Sequence, residues 1–134
     1  MQYPKYPLLE KSTDNLKYSF FSEGPNGRFL IVALFEETGD DEMVNLAFGA
    51  ASNGEIDDQV VFDNGDRNKI IATIYDIINE FTKTKTVSIF FKGSNKARTR
   101  LYRMAIALNL NFLSNAFLIW GVWIGKWRIQ RWAV

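Results

Sequence analysis

Residues 91–103, FKGSNKARTRLYR, set Lys92, Lys96, Arg98, Arg100 and Arg103 around a Gly93-Ser94-Asn95 corner. An apolar, strand-like run ends at that corner and a helical pattern opens just after it. Lys96, Arg98 and Arg100 therefore stand in the first turns of a predicted helix, over about 95–113. Each exposed cation there opposes the helix macrodipole by about 0.3–1 kcal/mol. An anion held at the corner reverses the sign of that term. Free backbone N–H groups, the Ser94 hydroxyl, Lys92 and Arg98 would converge on it, and a phosphate is the obvious candidate. The structural alternative is that Ser94 or Asn95 caps the helix, with the arginines lying over the core or pairing with the chain's own acids.

Three further groups carry possible chemistry. Trp120, Trp123, Trp127 and Trp132 are interleaved with Lys126, Arg128 and Arg131, a mixture suited to base stacking with phosphate contact on a single strand. Aromatic residues on strands also serve as core or dimer contacts. Trp127 and Trp132, beside the charges, are the pair expected to be exposed. Tyr102 stands one helical turn from Arg98, an acid–base group and phosphate clamp for a metal-free ribonuclease. That role would require moving the phenol far from its usual pKa of about 10. Glu55, Asp57, Asp58, Asp63 and Asp66 cluster along the sequence and have the chemistry to hold Mg²⁺. Their spacing matches no metal loop, and Asp63 and Asp66 have sufficient roles in a turn and a helix cap. No metal, cofactor or catalytic residue is assigned.

Composition narrows the classes. The chain of 134 residues contains neither cysteine nor histidine, which removes thiolate chemistry, disulfides and every histidine-dependent acid–base arrangement. An enzyme of this composition would work with carboxylates, Lys, Arg, Tyr or a hard cation. The formal net charge of +1 hides a segregation. Residues 1–80 hold all fifteen acids against six bases, whereas 81–134 hold ten bases and no acid. An acid-free basic segment points to an anionic partner, nucleic acid first. Mutual neutralisation of the two halves, within one fold or across a dimer, is the other reading. No basic start followed by an apolar stretch marks a secretory signal, so a cytoplasmic location is expected. Residues 104–125 lack charge, but Asn109, Asn111, Ser114 and Asn115 interrupt them. A helix running into a strand fits that stretch better than a membrane anchor.

The elements that must position these groups follow from periodicity. After an extended lead-in over 1–15, strands are predicted at 16–22, 28–37, 43–51 and 58–62. The turns between them are EGPNG (23–27), TGDDE (38–42) and SNGE (52–55). Asp66 is the predicted N-cap of a helix whose apolar stripe is Ile70, Ile71, Ile74, Ile77, Ile78 and Phe81. A fifth strand at 86–92, the second helix, and a hairpin of 117–124 with 127–132 complete the chain. The order β-β-β-β-α-β-α-β(β) argues for a single α+β domain over 1–134. Its sheet is mostly antiparallel, with two amphipathic helices packed on one face.

GPNG, VNLAFG, NGD and FKGS followed by ARTRLYRM, in that order, resemble a bacterial family of small proteins, a domain of unknown function. The resemblance covers roughly residues 1–120; the tryptophan-rich end from Trp120 on is less similar. It implies an intact fold and assigns no activity. The strand order is also broadly similar to four-strands-then-helix binders of single-stranded nucleic acid, an analogy of fold.

The expected function is therefore a non-enzymatic binding module for single-stranded DNA or RNA, or for another phosphate-bearing polyanion. Its contacts would be Lys92, Ser94, Lys96, Arg98, Arg100, Tyr102, Arg103, Lys126, Trp127, Arg128, Arg131 and Trp132. Two alternatives stand beside it: a self-associating interaction or scaffold protein, for instance in a toxin or defence pair, and a small histidine-free nuclease.

Overall fold

The computed structural model describes residues 4–52, 55–57, 64–83, 85, 87–91, 117–122 and 126–131. They form a mixed α+β fold. Its elements are β1 (Glu10–Lys11), β2 (Lys17–Gly24), β3 (Gly27–Glu37), β4 (Met43–Ser52), β5 (Glu55–Asp57), α1 (Arg67–Thr82), β6 (Ser88–Phe91), β7 (Phe117–Val122) and β8 (Lys126–Arg131). Of the strand pairs described, β4–β6 runs parallel and the others antiparallel. By contacts the chain divides into two units, Met1–Phe35 with Ala47–Phe81 and Glu36–Leu46 with Thr82–Val134.

In the first unit, β2 and β3 are joined by a two-residue turn, because Gly24 pairs with Gly27 across Pro25 and Asn26. Proline presets φ for the turn, and Gly27 takes a φ of 119°, a value that side chains resist. Tyr18, Phe20, Ile31, Ala33 and Phe35 share one face and enter the core, and Ser19 and Val32 on the other face are buried as well. Phe35 stacks on Phe81 of α1 with ring centroids 3.8 Å apart, and Tyr18 meets Phe35 edge-on. Helix α1 buries Ile70, Ile74, Ile77, Ile78 and Phe81, at the spacing of one helical stripe. Ile71 is only half-buried, and Thr73 takes a core position that the apolar pattern does not assign to it. The Thr73 hydroxyl donates to Lys69 O at 2.7 Å and accepts the Tyr6 N–H at 2.9 Å. It thereby satisfies a backbone donor that the extended lead-in would otherwise bury unpaired.

The second unit begins with the front of β4. Met43–Leu46 pairs in parallel with β6, β6 pairs with β8, and β8 pairs with β7. Val44, Leu46, Val87 and Ile89 are buried. The Ser88 N–H donates to Glu42 O at 2.7 Å, extending the ladder by one rung.

The hairpin of residues 117–131 and the first three long strands fall where alternation and turn chemistry put them. Two short strands do not. β1 interrupts the extended lead-in, where Glu10 and Lys11 pair with Ser19 and Tyr18. β5 starts at Glu55, inside the predicted turn, because Ser52 pairs with Glu55 and leaves only Asn53-Gly54 between them; Asn-Gly is the strongest two-residue hairpin signal. The predicted strand at 58–62 and the second helix at 95–113 lie outside the described residues.

Truncating Phe81 to Ala should cost about 3–5 kcal/mol, the usual range for a buried aromatic ring. Ile71→Ala, on the half-exposed side of the same helix, should cost much less. Urea titrations of the two variants give the comparison, and equal losses would contradict this packing.

Candidate nucleic-acid interface

One register sets the cross-strand rows of the second unit. Val44, Ile89, Ile129 and Ile119 oppose one another across β4, β6, β8 and β7. One residue along, the opposed set is Asn45, Phe90, Arg128 and Trp120. Adjacent residues of a strand belong to opposite faces of the sheet. Val44 and Ile89 are buried, whereas Asn45 and Phe90 are half-exposed. The second row thus combines an amide, two aromatic residues and a cation.

The same register sorts the charged positions by their end of the sheet. Trp127 opposes Phe91, the last residue of β6, and Lys126 comes immediately before it. The chain therefore leaves β6, with Lys92 next in sequence, at the end where β8 begins. Arg131 pairs with Phe117 at the far end of β8, about 16 Å from Lys126 at ~3.3 Å per residue. That far end is where β4 and β6 start, beside the acidic turn 36–42. There Thr38 Oγ1 donates to Met43 O at 3.0 Å, and Asp40 Oδ1 accepts the Glu42 N–H at 2.9 Å. Of the predicted contact residues, β8 thus brings Lys126, Trp127 and Arg128 towards one end and carries Arg131 to the other. Lys92, Ser94, Lys96, Arg98, Arg100, Tyr102, Arg103 and Trp132 lie outside the described residues. Asn45 and Phe90 are not among the predicted contacts. Only the strand register sets them opposite one another.

The first unit holds a second polar constellation. Asp66 precedes α1, and its carbonyl accepts the Ile70 N–H at 3.0 Å, as an N-cap residue's should. Its carboxylate turns elsewhere. Oδ2 accepts the Tyr6 hydroxyl and the Ser22 hydroxyl, both at 2.6 Å, while Oδ1 is buried without a partner. Asn64 donates from Nδ2 to Ser22 Oγ at 3.2 Å and Gly27 O at 3.0 Å, and its Oδ1 accepts the Asn26 N–H at 2.8 Å. A Cβ on Gly24 would sit 1.9 Å from Asn64 O, so only glycine allows this approach. The GPNG turn and the NGD turn, far apart in sequence, are thereby fastened together. Ser22 and Asn64 are each 1% exposed, and their bonds join elements.

A model of the family of unknown function DUF6934 matches residues 2–133. The chain belongs to that family. The match runs through the tryptophan-rich end as well, so the β7–β8 hairpin of this DUF6934 member lies within the shared region. No curated protein matches the chain, and no solved structure does. No helix among the described residues is long and apolar enough to cross a membrane.

Two phenols of the DUF6934 fold titrate abnormally. Burial, then the hydrogen bond to Asp66, raises Tyr6 above its ordinary 10.0, and the Asp66 charge adds to this. Burial, then the charge of Glu80, raises Tyr18, whose hydroxyl has no hydrogen-bond partner. A raised folded-state pKa means that the unfolded chain loses its proton first. The associated stability is full below about pH 10 and drains away as pH rises through the folded value. The urea midpoint should therefore fall between about pH 9 and about pH 11, and fall less steeply in Tyr6→Phe; equal slopes would contradict the Tyr6 assignment.

Proposed function

We propose that this DUF6934 protein is a non-enzymatic binding module for single-stranded nucleic acid or another phosphate-bearing polyanion. The observation that carries the reading is the register that sets the start of β8 beside the end of β6. The start of β8, with Lys126 and Arg128, lies beside the end of β6, and the chain then continues into Lys92, Ser94, Lys96, Arg98, Arg100 and Arg103. Charge supports it too. Residues 81–134 contain ten bases and no acid, while the acids Asp76, Glu80 and Glu23 are engaged by Lys5, Lys11 and Arg28, bases of residues 1–80. Lys126, Arg128, Lys92, Arg98 and Arg100 would contact phosphates without regard to sequence, with the Ser94 hydroxyl and backbone N–H groups at the corner completing the anion's shell. Tryptophan and tyrosine side chains of the same segment, Tyr102, Trp127 and Trp132 among them, would supply stacking surface.

Self-association is a second reading, and one observation favours it. Among the described residues β7 pairs with β8 alone, and its sequence FLIWGV contains no charge or proline to discourage pairing with another copy.

Tryptophan fluorescence titrated with a random single-stranded oligonucleotide, at about 50 and about 200 mM salt, tests the first reading. Phosphate contact predicts a steep loss of affinity, roughly 0.7 log unit per log unit of salt for each phosphate neutralised on a single strand. Arg98→Ala should weaken binding uniformly across sequences and flatten that slope by about one contact. Salt-independent binding, or none, would overturn the reading. Light scattering that shows a dimer without oligonucleotide binding would favour the second.

A further inference from the structure

We infer that a cavity on the β1–β2 pair is a binding site for a small zwitterion, of the class of a free α-amino acid. The site shares no residue with the proposed polyanion contacts and does not rest on that reading. The cavity measures about 210 Å³ and is lined, among the described residues, by Glu10, Lys11, Ser12, Lys17, Tyr18 and Ser19. At ~30 Å³ per water molecule, that is room for about seven waters or for one small metabolite. Drug-sized ligands usually occupy more, roughly 300–1,000 Å³. Register sorts the lining side chains. Glu10 opposes Ser19 and Lys11 opposes Tyr18, so Glu10, Ser19 and Lys17 share one face of the pair, while Lys11 and Tyr18 share the other.

Bonds within the chain then separate the engaged groups from the available ones. Lys11 Nζ meets Glu80 Oε1 at 3.3 Å. Ser12 Oγ donates to Asp14 Oδ1 at 2.6 Å and accepts the Lys17 N–H at 3.0 Å, closing the turn after β1. The Leu9 N–H donates to Ser19 O at 2.7 Å and fixes the other end of β1. Among the described residues, the Glu10 carboxylate, the Lys17 ammonium and the Ser19 hydroxyl have no such partner. Glu10 and Lys17 are exposed and form the rim, whereas Ser19 is only 5% exposed. A buried hydroxyl ordinarily has a hydrogen-bond partner, and a ligand in this cavity would supply one. The three groups thus set a cation, a hydroxyl and an anion on one sheet face. An α-carboxylate would pair with Lys17 and accept from Ser19, and an α-ammonium would donate to Glu10. A simple anion would be repelled by Glu10, and a simple cation by Lys17. Only a molecule carrying both charges satisfies all three groups.

The test is an amide-resolved NMR titration of the full chain with L-alanine, N-acetyl-L-alanine and L-alaninamide. The second probe lacks the ammonium, and the third lacks the carboxylate. L-alanine should shift the amides of residues 10–12 and 17–19 saturably. Each blocked probe should bind about fivefold more weakly, as the loss of one exposed ion pair allows. Lys17→Gln should weaken L-alanine and N-acetyl-L-alanine by a similar factor and spare L-alaninamide. Glu10→Gln should weaken L-alanine and L-alaninamide and spare N-acetyl-L-alanine. Both substitutions are at exposed positions, and the amide spectrum itself reports whether each variant keeps the fold. N-acetyl-L-alanine binding as tightly as L-alanine would reduce the cavity to an anion site and overturn the assignment. So would the absence of saturable shifts with L-alanine, or variants that weaken all three probes equally. None of these outcomes bears on oligonucleotide binding, which the salt titration decides separately.

Discussion

The opposition of Ile89 to Val44 on one side and to Ile129 on the other fixes the second unit. In a pleated sheet the side-chain period is two, so a slip of one residue would exchange the faces of a whole strand. Here a slip of β8 would move Arg128 into the row of the fully buried Ile89. An unpaired charge in an apolar interior costs far more than a rung of hydrogen bonds given up at a strand end. The register is therefore specified by a few branched apolar residues. The placement of Arg128 opposite Trp120 and Phe90, and of Trp127 opposite Phe91, follows from it. Burying Val44 and Ile89 on one face in this sense determines which positions of β4 and β6 fall on the other.

The first unit depends on a different kind of constraint. Its aromatic stack, Tyr18 on Phe35 on Phe81, supplies non-directional burial, and such burial tolerates sliding. Direction comes from the polar fastening of Asn64, Asp66, Ser22 and Tyr6, whose mutual hydrogen bonds form together in one arrangement. The unpartnered Oδ1 of Asp66 and the unpartnered Tyr18 hydroxyl carry a desolvation cost that local contacts do not return. The lead-in is tied to the same helix by the bond from Tyr6 N–H to Thr73 and by Lys5 on Asp76 at 2.8 Å. The stack contributes apolar burial, and the fastening selects which packing that burial stabilises.

Legibility in the sequence divided along the range of the interactions. The β2–β3 hairpin and α1 were readable because each is specified locally, by Pro25 and Gly27 and by an isoleucine stripe, and the β7–β8 hairpin because two strand-like runs lie close together in sequence. The parallel pairing of β4 with β6 was not, because no local pattern records which strand a parallel partner will be. The role of Asp66 was half legible: its position before α1 marks a cap, but its hydroxyl partners lie at residues 6 and 22. Thr73 reads as a polar interruption and is a core residue, since its partner Tyr6 N–H is distant in sequence. Among candidate contacts, composition drew attention to residues near charges, such as Arg131. Strand register separates Arg131 from Lys126 and brings forward Phe90 and Asn45, which carry no charge.

Charge segregation along the sequence becomes a separation in space within the second unit. Five acids lie over 36–42, at the end of β3 and in the turn after it, beside the start of β6, while Lys126 stands at the end of β6 where the basic run begins. At physiological ionic strength the Debye length is about 8 Å, and β8 alone measures about 16 Å from Lys126 to Arg131. The two ends therefore lie about two screening lengths apart, and the acids at one cancel little of the potential at the other. A net charge of +1 misdescribes such a molecule, because an approaching ligand meets whichever end is nearer. On the proposed reading, a polyanion would approach the Lys126 end rather than the acids of 36–42.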